Sequence, residues 1–461
     1  MLRRLAFLLA LVMVTFLGSS NAQWKYAKLF PNNTFDPTPI SGSGINNGIT
    51  VDPMGRIWVN SYRYADSIQT SAGTYIPTEC LYCFNPDGTP ASFSPIKVLK
   101  SKDGSIADTL NYPSMAGSYN YGMASGPDGS IYDISCSVYI FKIDYHDGSL
   151  LAQIQNPIPG YTSSLATPMV DASDEVFVTT VLPTSGVGPV AVSGGDLSSV
   201  LISVDTSMYG AYSRNVSVTS DGNDVWVHRI KLGSLHYHSN NGTLGPYVLD
   251  TNTAFKDLVI ESSAWQPNTG LLWVSSGNVT SGMPNPPYRG YAWYGFDMTD
   301  RSNPVLKDSI LWNEDTGVPG DSIKNDPRPR GIAFSPTGDT AYVGAFNVSG
   351  PGAIQMFTFA GSNAINELPP SVPTQYSLSQ NYPNPFNPTT KIDYTLKAAS
   401  KVTLAVYDVL GREVATLVNV YQPAGLHSVS FDASRLSSGI YIYTLKTSNG
   451  ITITKKMVLM K

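Results

Sequence analysis

Through most of the chain, short apolar runs alternate residue by residue with polar ones and then break at a turn. That period of two is the signature of half-buried strands. One pattern recurs: an apolar strand, a turn of the Asp/Ser/Gln-Pro-x-Gly type, and a second strand rich in Trp, Tyr and Val. Its copies cover Ile49–Val59, Gly122–Tyr132, Val216–Val227, Ser263–Val274 and Gly331–Val343, with a weaker one at Pro168–Val178. Asp52-Pro53-Met54-Gly55 shows the turn chemistry. Pro presets φ at the second turn position, and Gly accepts the positive φ that closes the hairpin. A further strand follows most copies, such as Tyr139–Asp144 before Asp147-Gly148.

Each unit therefore reads as three or four antiparallel strands, the size of one propeller blade. Successive copies begin about 40 to 75 residues apart, against ~40–50 per blade in common propellers. The longer gaps, around residues 100–120 and 277–291, read as loop insertions. The count is six blades, or seven if the first gap holds a degenerate one. A lone strand at Trp24–Phe30 precedes the first blade, and the last ends at Ile354–Phe359, so the N-terminal strand is placed to complete the final blade and remove an edge. Through its Pro-x-Gly-x-x-Tyr/Trp-Val hairpins, the region 23–360 resembles the broad NHL, YVTN and gluconolactonase-like group of propellers. That likeness implies a fold and leaves the activity open. The Trp-Asp dipeptide of WD repeats is absent, and Gly-Gly occurs once, at Gly194-Gly195, which argues against kelch.

Residues 361–375 are small, polar and Pro-containing, a linker. Beyond them the chain changes character. Asn381-Tyr382-Pro383-Asn384-Pro385-Phe386-Asn387-Pro388 precedes a strand at Ile392–Leu396. Then come Val402–Asp408, Leu410-Gly411-Arg412-Glu413-Val414, Gly425-Leu426-His427, Leu436–Tyr441 with Gly439, and the terminal Lys455-Lys456-Met457-Val458-Leu459. Val402, Leu404 and Val406 alternate with Lys401, Thr403 and Ala405, as do Tyr441, Tyr443 and Leu445 with Ile442 and Thr444. Several such strands with turns between them make a β-sandwich of about seven strands. Residues 376–461, in this order of motifs, resemble the type A sorting domain of the type IX (Por) secretion system, an immunoglobulin-like fold. The resemblance implies passage across the outer membrane with this domain as the address. It also implies engagement of the secretion machinery, cleavage near the linker, and release or attachment at the cell surface. An adhesive Ig-like module without a sorting role is the alternative.

The first segment agrees with export. Arg3 and Arg4 precede an apolar core, Leu5–Leu17, and Ser20-Asn21-Ala22 offers small residues for a signal peptidase, placing cleavage between Ala22 and Gln23. That core rises only about 20 Å as a helix, too short for a hydrocarbon layer of ~30 Å. No later stretch is long and apolar enough to span. The expected organisation is a signal peptide at 1–22, a propeller at 23–360, a linker at 361–375 and the sorting sandwich at 376–461: an all-β protein at the cell surface or outside it.

Composition narrows the chemistry further. Only 14% of residues are charged, with a net charge of -5 and no basic stripe, so nucleic acid is not an expected partner. Of three cysteines, Cys80 and Cys83 have the C-x-x-C spacing without a βαβ context, and Cys136 stands apart; one structural disulfide or buried thiols is the expectation. There is no G-x-S-x-G, Walker loop, G-x-G-x-x-G or H-E-x-x-H. His236-Tyr237-His238 places two imidazoles on one strand face, a metal-ligand spacing, with His228 as a neighbour to consider. Glu261 before Trp265 resembles the metal-binding Glu segment of gluconolactonase-like propellers but lacks the Gly-Pro that follows it there. The Asp171–Asp174 and Asp221–Asp224 turns cluster oxygens of the kind Ca²⁺ takes, although a simple turn explains them as well. No cofactor is expected apart from such a divalent ion. The favoured role is a non-catalytic module that binds a polysaccharide or surface protein. Aromatic and amide loops such as Tyr112–Tyr121 and Pro284–Tyr294 would present the contacts. A metal-dependent, gluconolactonase-like hydrolase is the alternative.

Overall fold

The computed structural model describes residues 24–32, 35, 48–61, 65–69, 71–110, 122–135, 138–155, 157, 165–181, 190–193, 195–198, 200–203, 213–229, 233–241, 245–250, 255–277, 288, 290–313, 328–346, 354–359, 376–378, 380–381, 384–397, 400–422 and 425–461. Among these every helix-or-strand element is a strand. After β1 (Trp24–Leu29), the first repeat holds β2 (Ile49–Val51), β3 (Ile57–Asn60), the hairpin β4 (Asp66–Gln69) and β5 (Tyr75–Thr78), then β6 (Leu81–Phe84). A second hairpin, β7 (Val98–Lys100) and β8 (Ile106–Thr109), lies in the gap before the next repeat. That repeat holds β9 (Gly122–Ser125), β10 (Ile131–Ser135), β11 (Tyr139–Ile143) and β12 (Leu150–Gln155). Next are β13 (Met169–Val170), β14 (Glu175–Val178), β15 (Val190–Ser193) and β16 (Val200–Ser203). The following four are β17 (Ser213–Val218), β18 (Asp224–Arg229), β19 (Gly233–His238) and β20 (Val248–Asp250). Then β21 (Ser263–Trp265), β22 (Leu272–Ser275), β23 (Ala292–Asp297) and β24 (Val305–Leu311) precede β25 (Arg328–Phe334), β26 (Thr340–Phe346) and β27 (Ile354–Phe359).

All six hairpins expected from the sequence are present, as the first two strands of six successive sheets. Four of these sheets run in simple chain order, β9 to β12, β13 to β16, β17 to β20 and β21 to β24. The sheet of the first repeat is β2-β3-β6, widened by the segment 90–96, where Ala91 N donates to Cys83 O at 2.8 Å and Ile96 N to Leu81 O at 2.8 Å. The last sheet is β25-β26-β27-β1. The N-terminal strand pairs antiparallel with β27, Trp24 opposite Phe359 and Leu29 opposite Gln355. The first strands themselves form a closed cycle: β2 neighbours β9, then β13, β17, β21 and β25 follow, and β25 neighbours β2 again. This is a ring of radial sheets, a β-propeller-like architecture closed by the chain's own first strand.

Packing between sheets holds the ring. Trp58, Trp226, Trp273 and Trp293 are fully buried, and side chains of adjacent sheets share their cores. Tyr132, Ile134 and Ile140 of the second sheet, for instance, meet Val176 and Val178 of the third. Trp24 of β1 lies edge-on to Trp273 at 5.8 Å and to Phe359 at 5.2 Å, bringing the closing strand into the core of the last two sheets. The turn Asp52–Arg56 shows why the hairpins form locally. Asp52 Oδ1 accepts from the amides of Met54 at 2.9 Å and Arg56 at 3.0 Å, while Gly55 takes φ +76°. Asp408 Oδ1 does the same for Leu410 and Arg412 in the C-terminal part, with Gly411 at φ +78°. One Asp-x-x-Gly-Arg solution thus serves two unrelated sheets.

The C-terminal part is a two-sheet sandwich. Its strands are β28 (Ser377–Leu378), β29 (Thr389–Leu396), β30 (Ser400–Tyr407), β31 (Glu413–Gln422), β32 (Gly425–Asp432), β33 (Gly439–Thr447) and β34 (Thr452–Leu459). The sheets are β28-β29-β32 and β31-β30-β33-β34. Between them lie Phe386, Ile392, Tyr394, Leu404, Tyr443 and Met457. Burial follows the expected alternation with two departures: Ala405 and Thr444 are also buried. The two stand opposite each other across β30 and β33. No helix among the described residues is long and apolar enough to cross a membrane.

Candidate functional site

Antiparallel order separates the two ends of the ring. At one end lie the tight turns between first and second strands, such as 52–56 and 219–223. At the other end lie the strand ends that bracket the longer connecting segments 110–121, 156–168, 179–189, 251–262, 276–291 and 312–327, which fall in large part outside the described residues. Just inside that long-loop end, polar side chains meet from sheet to sheet. Asn60 Nδ2 donates to Asp133 Oδ1 at 2.8 Å, and Ser135 Oγ donates to the other oxygen. Thr167 bridges in parallel to Asn215, whose Nδ2 donates to Ser263 Oγ at 2.6 Å. Ser262 Oγ donates to the carbonyl of Arg330. Between the last sheet and the first the contact is apolar and close: a Cβ on Gly331 would come within 2.9 Å of Ile49. Buried polar contacts thus join four of the six neighbouring sheet pairs along this rim.

Its ionisable groups are tuned by burial. Asp133 is fully enclosed, which pushes its carboxyl up to about 6 against the opposing hydrogen bonds from Ser135 and Asn60. His228 is lowered to about 3 by burial, and its ring sits between Ser217 Oγ and Ser234 Oγ, each at 2.6 Å. It is a neutral core histidine on the same sheet face as His236 but offset from it along the strands, since the register puts it opposite Ser234 and puts His236 opposite Trp226. Glu261, the one carboxylate considered for a channel metal, forms a buried ion pair with Arg330 of the last sheet, each side chain only 5% exposed. A guanidinium, not a ligand-free approach, faces this carboxylate.

His236 and His238 lie at the opposite, tight-turn end. Both reach Asp224 Oδ1, through Nε2 at 2.7 Å and Nδ1 at 3.0 Å respectively. The Asp171–Asp174 and Asp221–Asp224 oxygens are occupied as well. Asp171 Oδ1 accepts the amides of Ser173 and Glu175, and Asp221 those of Asn223 together with the Thr219 hydroxyl. Among the described residues no group of three or more His, Cys, Asp or Glu side chains converges as a metal site requires. Cys80 and Cys83 are buried free thiols, and burial pushes Cys80 up to about 12. Cys136, Ala22, Gln23, Pro383 and the Tyr112–Tyr121 loop lie outside the described residues, as do residues 284–287 and 289 of Pro284–Tyr294.

In the C-terminal sandwich the Asn/Pro motif serves as architecture. Asn381 is buried; its amide donates to Tyr443 Oη at 2.9 Å and its Nδ2 to Thr390 Oγ1 at 3.0 Å. Asn384 Oδ1 accepts from Val458 N at 2.9 Å, and Phe386 N donates to Val458 O at 3.0 Å. The motif is thereby laced onto the last strand. Pro385, Asn387 and Pro388 stay exposed, as do Gly411, Gly439, Lys455 and Lys456.

Residues 380–460 match the family described as a secretion system C-terminal sorting domain. No match to a curated protein was found. Among solved structures the chain is similar to PorZ, described as an essential bacterial surface component of the type-IX secretion system of Porphyromonas gingivalis. That alignment has a TM-score of 0.39 and 11% identity and covers 94% of this chain; the chain spans 60% of that one. A chain of a mitotic checkpoint complex aligns at TM-score 0.40 and 12% identity, over 78% of this chain and 98% of the other. The Cps50 (Swd1) β-propeller domain of Myceliophteria thermophila aligns at 0.38 and 9%, over 70% and 88%. The propeller assignment stands on the sheet order and the closing strand described above.

Proposed function

We propose that this chain, which carries a type IX secretion C-terminal sorting domain at residues 380–460, delivers a six-bladed binding ring to the cell surface or medium. The sorting domain directs the chain across the outer membrane, through the type IX machinery. What it carries there is read as residues 23–360, with residues 1–22 removed as a signal peptide and 361–375 acting as the linker. Six blades are supported by the cycle of first strands from β2 to β25 and back. On this reading the β7–β8 hairpin is an insertion and not a seventh blade.

The observation that carries a binding role is the segregation of the long connections to one end of a rigid ring. A scaffold of packed sheets fixes the points from which such loops project, and the composition of residues 111–121, rich in Tyr and Asn, suits sugar hydroxyls or peptide backbones. The ligand class is an extracellular polysaccharide or surface protein. Catalysis has less support, since Glu261 is neutralised by Arg330 and His228 is enclosed between two serines.

The test is binding of the secreted protein to cell-surface polysaccharide and to whole cells, compared with a variant whose 111–121 and 278–287 loops are replaced by short Gly-Ser links. Loss of binding with an intact fold supports the reading. Equal binding by both proteins sinks it, and a stoichiometric metal with lactone hydrolysis that Glu261→Gln abolishes establishes the hydrolase instead.

A further inference from the structure

Two turns of the chain share one construction. Asp52–Arg56 follows β2 in the ring, and Asp408–Arg412 follows β30 in the sandwich. In each, the aspartate amide donates to the arginine carbonyl, at 3.0 and 2.9 Å, and the glycine amide donates to the aspartate carbonyl, at 2.8 and 3.0 Å. Arginine Nε then reaches aspartate Oδ2, at 2.8 Å in the ring and 2.7 Å in the sandwich. Asp and Gly supply the turn, so the two residues between them are free to serve another purpose.

In the ring this knuckle is seated against its neighbour. Pro53 and Met54 are half-buried. A Cβ on Gly129 of the second sheet would come within 2.8 Å of Pro53, and Met54 packs on the core that the first two sheets share. Arg56, its side chain 7% exposed, donates to the carbonyl of Tyr145 just beyond β11. In the sandwich the same two positions hold Val409 and Leu410, 66% and 75% exposed. The Arg412 side chain is 75% exposed as well. Bulky aliphatic side chains contribute nothing to closing a turn, and holding them in water is unfavourable.

More apolar surface stands beside the exposed knuckle. Tyr407, the last residue of β30, lies opposite Ile442, so the turn beyond it rises where β33 begins and β34 finishes. Ile440, near the start of β33, is 47% exposed, and Met460, just past β34, is 58% exposed. Ile440 points outward because Tyr441, its neighbour on the strand, points into the core. On the other sheet the exposed residues Thr389, Lys391 and Asp432 are polar. Residues 376–461 hold nine Lys and Arg against four Asp and Glu, a net +5 in a chain whose total is -5. Of these cations Arg435 and Lys461 are exposed at the same end as the knuckle, where Lys461 N donates to Ser438 Oγ at 2.9 Å.

We propose that Val409, Leu410, Ile440 and Met460 form the surface by which the sandwich docks on a folded, acidic protein of the export machinery. The seated knuckle of the ring shows the complementary chemistry: an apolar recess for the two turn residues and an acceptor oxygen for the guanidinium. The excess of cations selects a partner surface rich in carboxylates. The proposal rests on the sorting role of residues 380–460.

Export by the producing cell tests it, with Val409→Ser, Leu410→Ser and Ile440→Thr combined in the full chain. These positions are exposed, so the urea midpoint should stay at the wild-type value. The fraction reaching the surface and medium, read by cell fractionation, should fall about tenfold or more. Val248→Ser, at a position of the ring that is 68% exposed, should export normally, and an equal fall there overturns the proposal. Should the triple variant not fold, Leu410→Ser alone decides: a fall supports the proposal, and normal export overturns it. Normal export of the folded triple variant overturns the docking surface while leaving the sorting role intact, provided that deletion of residues 376–461 still blocks export. Normal export of the deletion variant overturns both. Pelleting of wild type, but not the triple variant, with phosphatidylglycerol vesicles overturns the proposal in favour of a membrane. A wild-type dimer that the triple variant loses in sedimentation overturns it in favour of a second copy.

Discussion

Asp133 and Glu261 are two buried carboxylates that the fold treats differently. Asp133 has neutral partners, Asn60 and Ser135, so burial dominates and its carboxyl is raised. A raised folded value means the native state holds the proton longer than the unfolded chain, so stability falls as pH rises from about 4 to 6. With a shift from 3.8 to about 6, the loss by pH 7 is roughly 3 kcal/mol. Asp133→Asn should remove that dependence, so denaturant unfolding at pH 4.5 and 7 should show a smaller drop in the variant than in wild type. Glu261 instead has Arg330, and removing one partner strands a buried charge. Glu261→Gln is expected to cost about 3–5 kcal/mol, read from the urea midpoint. The thiols are also decided at this scale. Cys80 and Cys83 are buried, with Cys80 raised to about 12. A thiol reagent at pH 8 should therefore titrate at most one cysteine per native chain, and a count of two or more would refute the burial.

Among the elements, the closing strand matters most. β1 covers the outer edge of β27, and Trp24, 4% exposed, fills the core between the last two sheets. Trp24→Ala should cost about 3–5 kcal/mol. Because the strand locks the ends of the ring together, the variant's earliest loss of hydrogen-exchange protection should fall in β25 to β27. The terminal strand β34 is guarded in another way. Lys455 and Lys456 put charge on it, and the 384–386 segment hydrogen-bonds along it through Val458. Those devices keep a sheet edge from pairing with other chains.

For the molecule as a whole, the division of labour between ring and sandwich gives the export prediction. Deleting residues 376–461 should leave the protein in the periplasm, while the ring keeps its fold because its core, from Trp24 to Phe359, closes on itself. Cell fractionation with antibody detection checks the first part. Normal amounts of the truncated protein at the surface or in the medium would contradict it.

Hydrophobic alternation, the Pro-x-Gly turns and the Asn/Pro motif determined the strands, the hairpins and the address, because these are local signals spanning about ten residues. The sequence even placed Trp24–Phe30 at the final blade, since a lone strand before a repeat has one natural partner. It also showed His236 and His238 on one face, because a strand's period of two needs no tertiary information. Their first partner, Asp224, comes from the β18–β19 hairpin, but the ring decided what else reaches that site: Arg301 and Ser302 come from the next sheet. Glu261 meets Arg330 only because successive first strands stand side by side around the ring. Such contacts join positions far apart in the chain, and no local pattern of residues encodes which distant charge a buried carboxylate will face.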